Sequence, residues 1–336
     1  MRAMVLGQQA PIGSAPLALR DVPEPEPGPG EVRVRVRACG LCRTDLHVIE
    51  GDLPPRKLPL IPGHQVVGVV DRAGPGAARF REGDRIGIAW LRHTCGVCAY
   101  CRSGRENLCE SSRFTGYHAD GGYAECALVP QDFAYAIPDV FGDAEATPLL
   151  CAGIIGYRAL ERSQAPPGGT LGLWGFGSSA HVTIQVARAR GMQVYVATRG
   201  EKHQALARAM GAAWVGGATD PLPVPVDGGI LFAPAGEIVP IALRSIQKGG
   251  TLAIAGIWLS DIPPLNYDRE LFYERNLRSV TANTRADGEA LLREAAAIPL
   301  RPRVTTFPLE EANRGLALLK SDGLNGTGVL LPSIPS

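Results

Sequence analysis

Four cysteines fall close together in the stretch TCGVCAYCRSGRENLC, residues 94–109. Their spacing is C-x2-C-x2-C-x7-C, so one tight loop can present three sulfurs to a single point and a turn can return the fourth. Four thiolates at tetrahedral positions suit a closed zinc site without catalytic function. An iron–sulfur cluster and four reduced cysteines without a metal are the alternatives. The four residues are Cys95, Cys98, Cys101 and Cys109.

A second group of metal-ligand residues is dispersed over GLCRTDLH (40–47), PGHQVVG (62–68) and Cys151. A catalytic zinc takes about three protein ligands, often two sulfurs and an imidazole, and keeps one position open. Taken singly, Cys42 also fits a small buried residue, His64 a turn histidine, and Cys151 the apolar face of a helix. Cys39 and Cys42 also form a C-x-x-C pair, which could be redox-active. The pair does not follow a strand in a thioredoxin-like βαβ arrangement, which disfavours that role.

A nucleotide-binding pattern occurs in LGLWGFGSSAH, residues 171–181. Gly175 and Gly177 follow a predicted strand and precede a predicted helix. There they allow a tight turn and a close backbone approach to a pyrophosphate at the helix N-terminus. The third glycine position of the G-x-G-x-x-G fingerprint holds Ala180, a variant that the fingerprint allows. The strand–turn–helix context predicts a dinucleotide site.

The residues that would hold the cofactor ribose lie about twenty positions further on. A carboxylate there usually binds the ribose hydroxyls of NAD, but this chain has Thr198 and Arg199, with Lys202 one turn later. Arg199 and Lys202 can bind a 2′-phosphate, so we favour NADP(H) over NAD(H). The alternative is that Arg199 is a solvated loop charge and that Glu201 accepts from the ribose.

The first 150 residues are rich in strand and turn signals. EVRVRVRACG (31–40) alternates valine with arginine, which is typical of a half-buried strand. Short strands are also predicted in HQVVGVVDRAG (64–74) and GDRIGIAW (83–90). From about residue 148 the pattern changes, and TPLLCAGIIGYRALER (147–162) predicts a helix with Thr147 as the N-cap.

After this helix, strand and helix signals alternate, which predicts an α/β fold with a doubly wound parallel sheet. Two further helices are expected near 287–297 and 309–320. The alternating segments are TLGLWG (170–175), SSAHVTIQVARAR (178–190), QVYVAT (193–198), EKHQALARAM (201–210), GGILFAP (228–234), EIVPIALRSIQ (237–247) and GTLAIAG (250–256).

Composition sets the broad class. The 336 residues are 45% hydrophobic and suggest two domains. The chain has 34 Lys and Arg against 33 Asp and Glu. We therefore expect no overall positive electrostatic potential for nucleic acid and no charged patch for a membrane surface. The N-terminal MRAMVLGQQA lacks the apolar run of a signal peptide, so we expect a cytoplasmic, reducing location. Eight cysteines there favour ligands over disulfides.

Together these motifs resemble the zinc-dependent alcohol dehydrogenases of the medium-chain dehydrogenase/reductase (MDR) superfamily, from the N-terminal strands through residue 330. The resemblance implies a Rossmann-type domain and a β-rich, GroES-like catalytic domain with the active cleft between them. Its implied boundaries are 1–150 (catalytic), 151–283 (dinucleotide-binding) and 284–336 (return to the catalytic domain). The matching stretches are CGLCRTDLHVIEGDLP, IPGHQVVG, CGVCAYCRSGRENLC, TGYHADGGYAE, LLCAGIIGYRAL and LWGFGSSAH.

The resemblance also assigns the metals. It implies that Cys42, His64 and Cys151 bind a catalytic zinc, and that Asp45 accepts a hydrogen bond from His64 and fixes its tautomer. The four-cysteine lobe would hold a structural zinc near subunit contacts, which gives two zinc ions per chain. One position departs from the family, because Gln65 stands where a glutamate usually follows the ligand histidine. Glutamine keeps the size but removes the charge, which would leave the zinc a stronger Lewis acid.

For the reaction, the resemblance implies hydride transfer between NADP(H) or NAD(H) and a primary or secondary alcohol, aldehyde or ketone. Thr44 would take the alcohol proton and pass it through a cofactor ribose hydroxyl to His47, and Arg43 would contact the pyrophosphate. Zinc lowers the pKa of a bound hydroxyl toward neutrality, and the proton must then leave a dry pocket. The expected pocket residues are Leu53, Trp90, Tyr117 and His118.

The expected partners are a small-molecule alcohol or aldehyde and other copies of the chain, as a dimer or tetramer, with no nucleic acid or membrane. Three alternatives stay open. One is an NAD-dependent polyol or formaldehyde-type dehydrogenase of the same fold. The others are a dinucleotide-binding zinc protein without turnover and a zinc-stabilised interaction module.

Overall fold

The computed structural model of the chain describes residues 1–332. Its strands are β1 (Arg2–Leu6), β2 (Leu17–Asp21), β3 (Glu31–Gly40), β4 (Gln65–Ala73), β5 (Arg85–Ile88), β6 (Leu91–His93), β7 (Arg113–Phe114), β8 (Cys126–Pro130), β9 (Ala134–Ala136), β10 (Thr170–Trp174), β11 (Gln193–Ala197), β12 (Trp214–Gly216), β13 (Val226–Leu231), β14 (Ile246–Ile254), β15 (Asn276–Ser279), β16 (Val304–Pro308) and β17 (Thr327–Leu331).

The helices are α1 (Arg43–Glu50), α2 (Ala99–Arg102), α3 (Asp143–Ala146), α4 (Ala152–Ser163), α5 (Ser178–Ala189), α6 (Glu201–Ala209), α7 (Ile238–Ser245), α8 (Arg285–Ala297) and α9 (Ala312–Lys320). Short 3₁₀ turns lie at Ile12–Ser14, Glu106–Leu108, Gln131–Phe133, Thr147–Leu150 and Leu309–Glu311, and a π turn at Tyr267–Leu271. None of these helices is long and apolar enough to cross a membrane.

The chain forms two compact units. The first contains Met1–Cys151, Thr284–Ala296 and, of the C-terminal part that the structure describes, residues 302–332. Its main sheet has seven strands in the order β16-β17-β3-β4-β5-β9, with β8 also paired to β3. Val32, Val34 and Val36 of β3 are buried in its core. The predicted strand is therefore confirmed, but its alternation is incomplete, because Arg33 is also buried and pairs with Asp71.

The second unit contains Ala152–Asn283 and Ala297–Arg301. Its six strands run in the order β12-β11-β10-β13-β14-β15, and every pair is parallel. The order reverses on the two sides of β10, which is the arrangement of a Rossmann-type sheet. Large apolar side chains such as Trp174 form its core. The predicted parallel sheet is confirmed.

One sequence prediction is wrong. The segment 147–162 is not a single helix capped by Thr147, because Thr147–Leu150 form a 3₁₀ turn and α4 begins only at Ala152. Cys151 separates the two with φ −138° and ψ −71°, which is not helical. Pro148, Leu149 and Leu150 are buried in the first unit, whereas α4 belongs to the second. The helix is therefore interrupted at the residue where the chain passes from the first unit to the second.

Candidate metal and nucleotide sites

The register of β3 against β4 brings the first two ligand residues together. Gly40, the last residue of β3, is paired with Gln65, the first residue of β4. Cys42 follows this pair by two residues and His64 precedes it by one, so both lie at the same end of the two strands. Residues 22 positions apart in sequence thereby share one site because the strands are antiparallel.

Cys151 arrives from the 3₁₀ turn before α4. Leu150 fits against β5 because Gly87 has no side chain there, and a Cβ on Gly87 would lie 2.6 Å from Leu150 Cδ2. Cys151 Sγ lies 3.9 Å from Cys42 Sγ and 3.2 Å from His64 Nε2. The three ligand atoms all lie within 4.8 Å of one another. The structure thus gathers the three dispersed residues.

These donor atoms fit a zinc ion. A Zn–S bond of about 2.3 Å gives sulfur–sulfur edges of about 3.8 Å in a tetrahedron. The Cys42–Cys151 separation of 3.9 Å matches that edge. His64 uses Nδ1 to donate to Asp45 Oδ1 at 2.9 Å, which leaves Nε2 toward the two sulfurs. Two thiolates and one imidazole also leave a fourth position for a substrate oxygen.

Asp45 accepts more hydrogen bonds than the sequence indicates. Besides His64, its carboxylate accepts from the Cys42 backbone N–H at 2.9 Å and from the Tyr123 hydroxyl at 2.9 Å, both on Oδ2. Asp45, His64 and Tyr123 are fully buried. Sequence reasoning missed Tyr123, although the GGYAE stretch that contains it was among the motifs behind the resemblance.

The electrostatics of the ligand group favour a bound cation. A hydrogen bond from Cys151 and the neighbouring imidazole hold the pKa of the Cys42 thiol well below its usual value. Burial lowers the pKa of His64, but the charge of Asp45 and its hydrogen bond outweigh burial and raise that pKa to about 10. Burial raises the pKa of the Tyr123 phenol, so Tyr123 keeps its proton and remains a donor.

The helix α1 carries the predicted proton-transfer residues. Cys42 is its N-cap and accepts from the backbone N–H of Thr44 at 3.4 Å. Thr44 is 9% exposed. His47, further along the helix, is partly exposed and its Nδ1 lies 2.7 Å from Asp52 Oδ2. Arg43 pairs with Asp322 at 2.5 Å.

An aromatic cluster lies beside His64. Trp90 meets the imidazole edge-on at a centroid distance of 4.9 Å. Its other contacts are stacked, at 4.9 Å from Phe114 and 5.9 Å from Tyr117. The structure therefore brings the expected pocket residues Leu53, Trp90 and Tyr117 into one cluster. Phe114 is an additional member that sequence reasoning did not identify, and His118 packs against both Phe114 and Tyr117.

The four-cysteine lobe is equally compact. Sulfur–sulfur distances are 3.5 Å for Cys98–Cys101, 3.6 Å for Cys95–Cys109 and 4.0 Å for Cys95–Cys101. Backbone N–H groups point at the sulfurs, and those of Val97 and Cys98 lower the pKa of the Cys95 thiol to about 6. Four sulfurs within 4.8 Å of one another suit a single tetrahedral ion more than a cluster.

The remaining cysteines are not placed as ligands. No disulfide joins any of the eight cysteines. Cys39 is fully buried, and burial raises its pKa well above the usual value, which opposes a redox role for the Cys39–Cys42 pair. Cys126 is buried on β8, as a core residue would be. Gln65 is 1% exposed, and its side-chain oxygen has no hydrogen-bond partner among residues 1–332.

The nucleotide motif of the second unit forms a tight strand-to-helix turn. Gly175 has φ +92°, and a Cβ there would lie 2.8 Å from the Ala233 nitrogen. Gly177 is the N-cap of α5, and no atom lies within 4 Å of where its Cβ would be. Ala180 is fully buried in α5. This backbone opening at a helix N-terminus fits a pyrophosphate.

The ribose-side residues follow the neighbouring strand β11. Thr198 is buried and its backbone N–H donates to the Gly216 carbonyl at 3.0 Å. Gly200 has φ +78° and caps α6. Arg199, Glu201 and Lys202 are exposed around this turn. The structure thus brings the two cations and the carboxylate to the start of one helix.

Residues 28–139 match the family model described as alcohol dehydrogenase GroES-like domain. The chain is 56% identical to the "Probable alcohol dehydrogenase AdhA" of Mycobacterium tuberculosis, over 88% of this chain and 86% of that protein. It is 37% identical to an alcohol dehydrogenase of Geobacillus stearothermophilus, over 94% of this chain and 96% of the relative.

Solved structures of dehydrogenases also match the fold of the chain. A protein described as an NAD-dependent alcohol dehydrogenase superposes with a TM-score of 0.90 at 27% identity, covering 98% and 99% of the two chains. A zinc-binding dehydrogenase from Sinorhizobium meliloti, bound to NADP, gives 0.87 at 26%, covering 98% and 99%. A cobalt- and zinc-bound alcohol dehydrogenase from Pyrobaculum aerophilum gives 0.87 at 26%, covering 99% of each chain.

Proposed function

Because the chain belongs to the zinc-dependent alcohol dehydrogenases of the MDR superfamily, we propose that it transfers hydride between NADP(H) and a primary or secondary alcohol, or the corresponding aldehyde or ketone. The observation that carries this proposal is the convergence of Cys42 and Cys151 on the buried His64, with Asp45 behind the imidazole. Two sulfurs and one nitrogen with a free fourth position are a catalytic ligand set.

The ligand residues prepare the site as follows. Asp45 holds the proton of His64 on Nδ1 and leaves Nε2 as the ligand atom. Bound zinc supplies Lewis acidity, which lowers the pKa of an alcohol hydroxyl or polarises a carbonyl. Trp90 covers one side of His64 with apolar surface and is itself stacked on Phe114, which excludes water and strengthens electrostatic interactions there.

The proton of the alcohol must reach solvent from this dry environment. Thr44 is buried beside Cys42 and carries a hydroxyl that can accept and donate a proton. His47 is one turn further along α1 and partly exposed, and its Nδ1 lies 2.7 Å from Asp52 Oδ2. These positions support Thr44 as the group that takes the alcohol proton and His47 as the group that releases it to solvent, and a bound cofactor would supply a ribose hydroxyl between them.

We also propose that the lobe of Cys95, Cys98, Cys101 and Cys109 binds a second, structural zinc. Four sulfurs leave no open position, so this ion would stiffen the lobe without taking part in the reaction. The eight free cysteines support a reducing, cytoplasmic location. Residues 1–150 and 284–336 would form the catalytic domain and 151–283 the nucleotide domain, in a homodimer or homotetramer.

The preference for NADP(H) rests on the charges around α6. Arg199 and Lys202 add positive charge where a 2′-phosphate would lie, and Thr198 replaces the usual acid. Gly175, Gly177 and Ala180 would receive the pyrophosphate. A charge-assisted phosphate contact contributes about 1.5–3 kcal/mol, which corresponds to roughly tenfold to a hundredfold in affinity.

Fluorescence titration of the zinc-loaded protein with NADPH and NADH in parallel tests this preference without a choice of substrate. We expect NADPH to bind at least about tenfold more tightly, and the double variant Arg199→Ala/Lys202→Ala to lose this difference while NADH binding stays unchanged. Glu201→Gln is the matched control and should leave NADPH binding intact. Tighter NADH binding, weakened by Glu201→Gln, would instead identify Glu201 as the ribose partner.

A further inference from the structure

Two glycine-containing segments interlock around the ligand histidine. The stretch Gly121-Gly122-Tyr123 runs alongside Pro62-Gly63-His64 and binds it through the backbone. Gly122 N–H donates to the Gly63 carbonyl at 3.0 Å, and Tyr123 N–H donates to the Pro62 carbonyl at 3.0 Å. Tyr123 is thereby fixed to the segment that ends in His64, although 58 residues separate the two in sequence.

The packing leaves no room between these segments. Gly63 has φ +97°, and a Cβ there would lie 2.3 Å from Tyr123 Cδ1. A Cβ on Gly121 would lie 1.9 Å from the Gly63 carbonyl oxygen. Glycine is therefore required at both positions, since any side chain would separate the two segments. The consequence is that the Tyr123 ring lies directly on the backbone before His64 and its position is fixed.

From that position Tyr123 reaches the carboxylate that supports His64. Its hydroxyl donates to Asp45 Oδ2 at 2.9 Å, while Asp45 Oδ1 accepts from His64 Nδ1 at 2.9 Å. Asp45 is 1% exposed, so water does not replace a lost donor at low cost. Without the hydroxyl, Oδ2 would keep only the Cys42 N–H, and the carboxylate would be held less firmly in the plane that His64 requires.

We propose that Tyr123 is a positioning residue of the catalytic metal site: its hydroxyl fixes Asp45 against His64 and so sets the zinc affinity of the Cys42–His64–Cys151 group. The inference rests on the proposed function, because it assumes that this group binds zinc. Partners that orient a metal-bound histidine typically contribute 10–100-fold to metal affinity. Removing one of the two donors on Oδ2 should therefore accelerate zinc release measurably.

The test is zinc release from the holoenzyme to an excess of a chromogenic chelator. Zinc release from the Cys42–His64–Cys151 group is identified as the kinetic phase that is absent in Cys151→Ser. Tyr123→Phe keeps the ring and removes only the hydroxyl, and we expect that phase to become about tenfold faster, with shifted d–d bands in the cobalt-substituted protein. Tyr117→Phe is the matched control for metal release, because its hydroxyl donates to the Pro54 carbonyl at 2.7 Å.

A double-mutant cycle separates the hydroxyl contact from packing. If Tyr123 acts through Asp45, Tyr123→Phe should add little to the release rate in an Asp45→Asn background, and an undiminished effect there would overturn the inference. Where Tyr123→Phe does not fold, 2,3-difluorotyrosine at position 123 keeps the shape and alters donor strength. An unchanged release rate and cobalt spectrum would then overturn it.

The failure of this inference differs from the failure of the proposed function. If the wild-type protein shows no zinc-release phase that disappears in Cys151→Ser, both the role of Tyr123 and the proposed function are overturned. A wild-type protein with that phase, in which Tyr123→Phe and Tyr117→Phe release zinc equally fast, would overturn the role of Tyr123 alone. Faster release only in Tyr123→Phe supports the inference.

Discussion

At the scale of single residues, the proposed metal site depends on the hydrogen-bond partners of its buried polar groups. Asp45 has three donors around one carboxylate, and this satisfies a charge that burial alone would destabilise. Gln65, one residue beyond His64, is the contrasting case, because its buried side-chain oxygen has no hydrogen-bond partner in the part of the chain that the structure describes. A neutral amide tolerates this position, and a carboxylate there would add a negative charge close to the ligands.

Gln65→Glu therefore makes the first residue-scale prediction. The added negative charge should weaken the Lewis acidity of the bound zinc. It should also make the Cys42–His64–Cys151 group bind the ion more tightly. We expect the pKa that governs kcat for alcohol oxidation to rise by about one pH unit, equivalent to about 1.4 kcal/mol, and zinc release to slow. The measurements are the pH profile of kcat and the chelator-release rate.

Gln247→Glu is the control for this experiment, because Gln247 is exposed on β14 in the second unit. It adds the same charge far from the ligand residues in sequence and should leave both readouts unchanged. An unaltered pH profile together with unaltered zinc release in Gln65→Glu would remove the idea that the missing charge at residue 65 tunes the metal.

At the scale of secondary-structure elements, the four-cysteine lobe is joined to the first turn of α8. Glu106 lies in the 3₁₀ turn between Cys101 and Cys109. Its Oε1 accepts from the Arg285 backbone N–H at 2.8 Å, and its Oε2 accepts from Arg285 Nη2 at 2.7 Å. Arg285 is the first residue of α8, just after the chain returns to the first unit. The lobe therefore anchors the start of this helix.

Glu106→Gln should lower the free energy of unfolding by about 1–2 kcal/mol at pH 7. This is below the full value of a charge-assisted pair, because Arg285 is 38% exposed and partly screened. Burial raises the pKa of Glu106, but the Arg285 hydrogen bonds outweigh burial, so its pKa lies below the ordinary 4.5. The stabilisation is then complete above about pH 4.5 and disappears as pH falls through the lower folded-state pKa.

Urea unfolding of wild type and Glu106→Gln across this pH range measures the difference. Glu110→Gln is the control, because Glu110 is an exposed carboxylate of the same lobe. A difference between wild type and Glu106→Gln that stays constant from neutral to acidic pH would show that the ion pair does not carry the effect.

At the scale of the whole molecule, the residues proposed to bind metal and those proposed to bind the nucleotide belong to different units. Within residues 1–332, the groups suited to a metal are the four-cysteine lobe and the Cys42–His64–Cys151 group, both in the first unit. The glycine turn and the cations around α6 belong to the second unit. Each metal group can therefore be removed without touching the nucleotide motif.

Metal analysis of the purified protein should find two zinc ions per chain, one for each ligand group. Cys151→Ser should lose one ion and turnover but keep NADPH binding and most of its stability. Cys98→Ser should lose the other ion and lower the unfolding temperature, because a closed zinc site contributes directly to folding. Iron in place of zinc, or full metal content in Cys98→Ser, would contradict the assignment of the lobe.

The sequence by itself determined the features that are local along the chain. The C-x2-C-x2-C-x7-C spacing fixes how four sulfurs can converge, because a short loop has few conformations. The strand β3 and the order of strands and helices from β10 to β14 follow from side-chain periodicity, and these elements formed as predicted except β12, which no predicted segment covers. The glycine turn at Gly175 was likewise readable, because only glycine adopts that backbone with a neighbour so close.

The tertiary structure decided the features that depend on register and on which surfaces meet. The Gly40–Gln65 pairing, and not any local motif, sets Cys42 beside His64. The break at Cys151 arises because the chain leaves the core of one unit for another, which helix propensity cannot encode. The bond from Tyr123 to Asp45 spans 78 residues and exists only because glycines let two segments interlock. Such proximities depend on packing of the whole unit, so the local pattern could not reveal them.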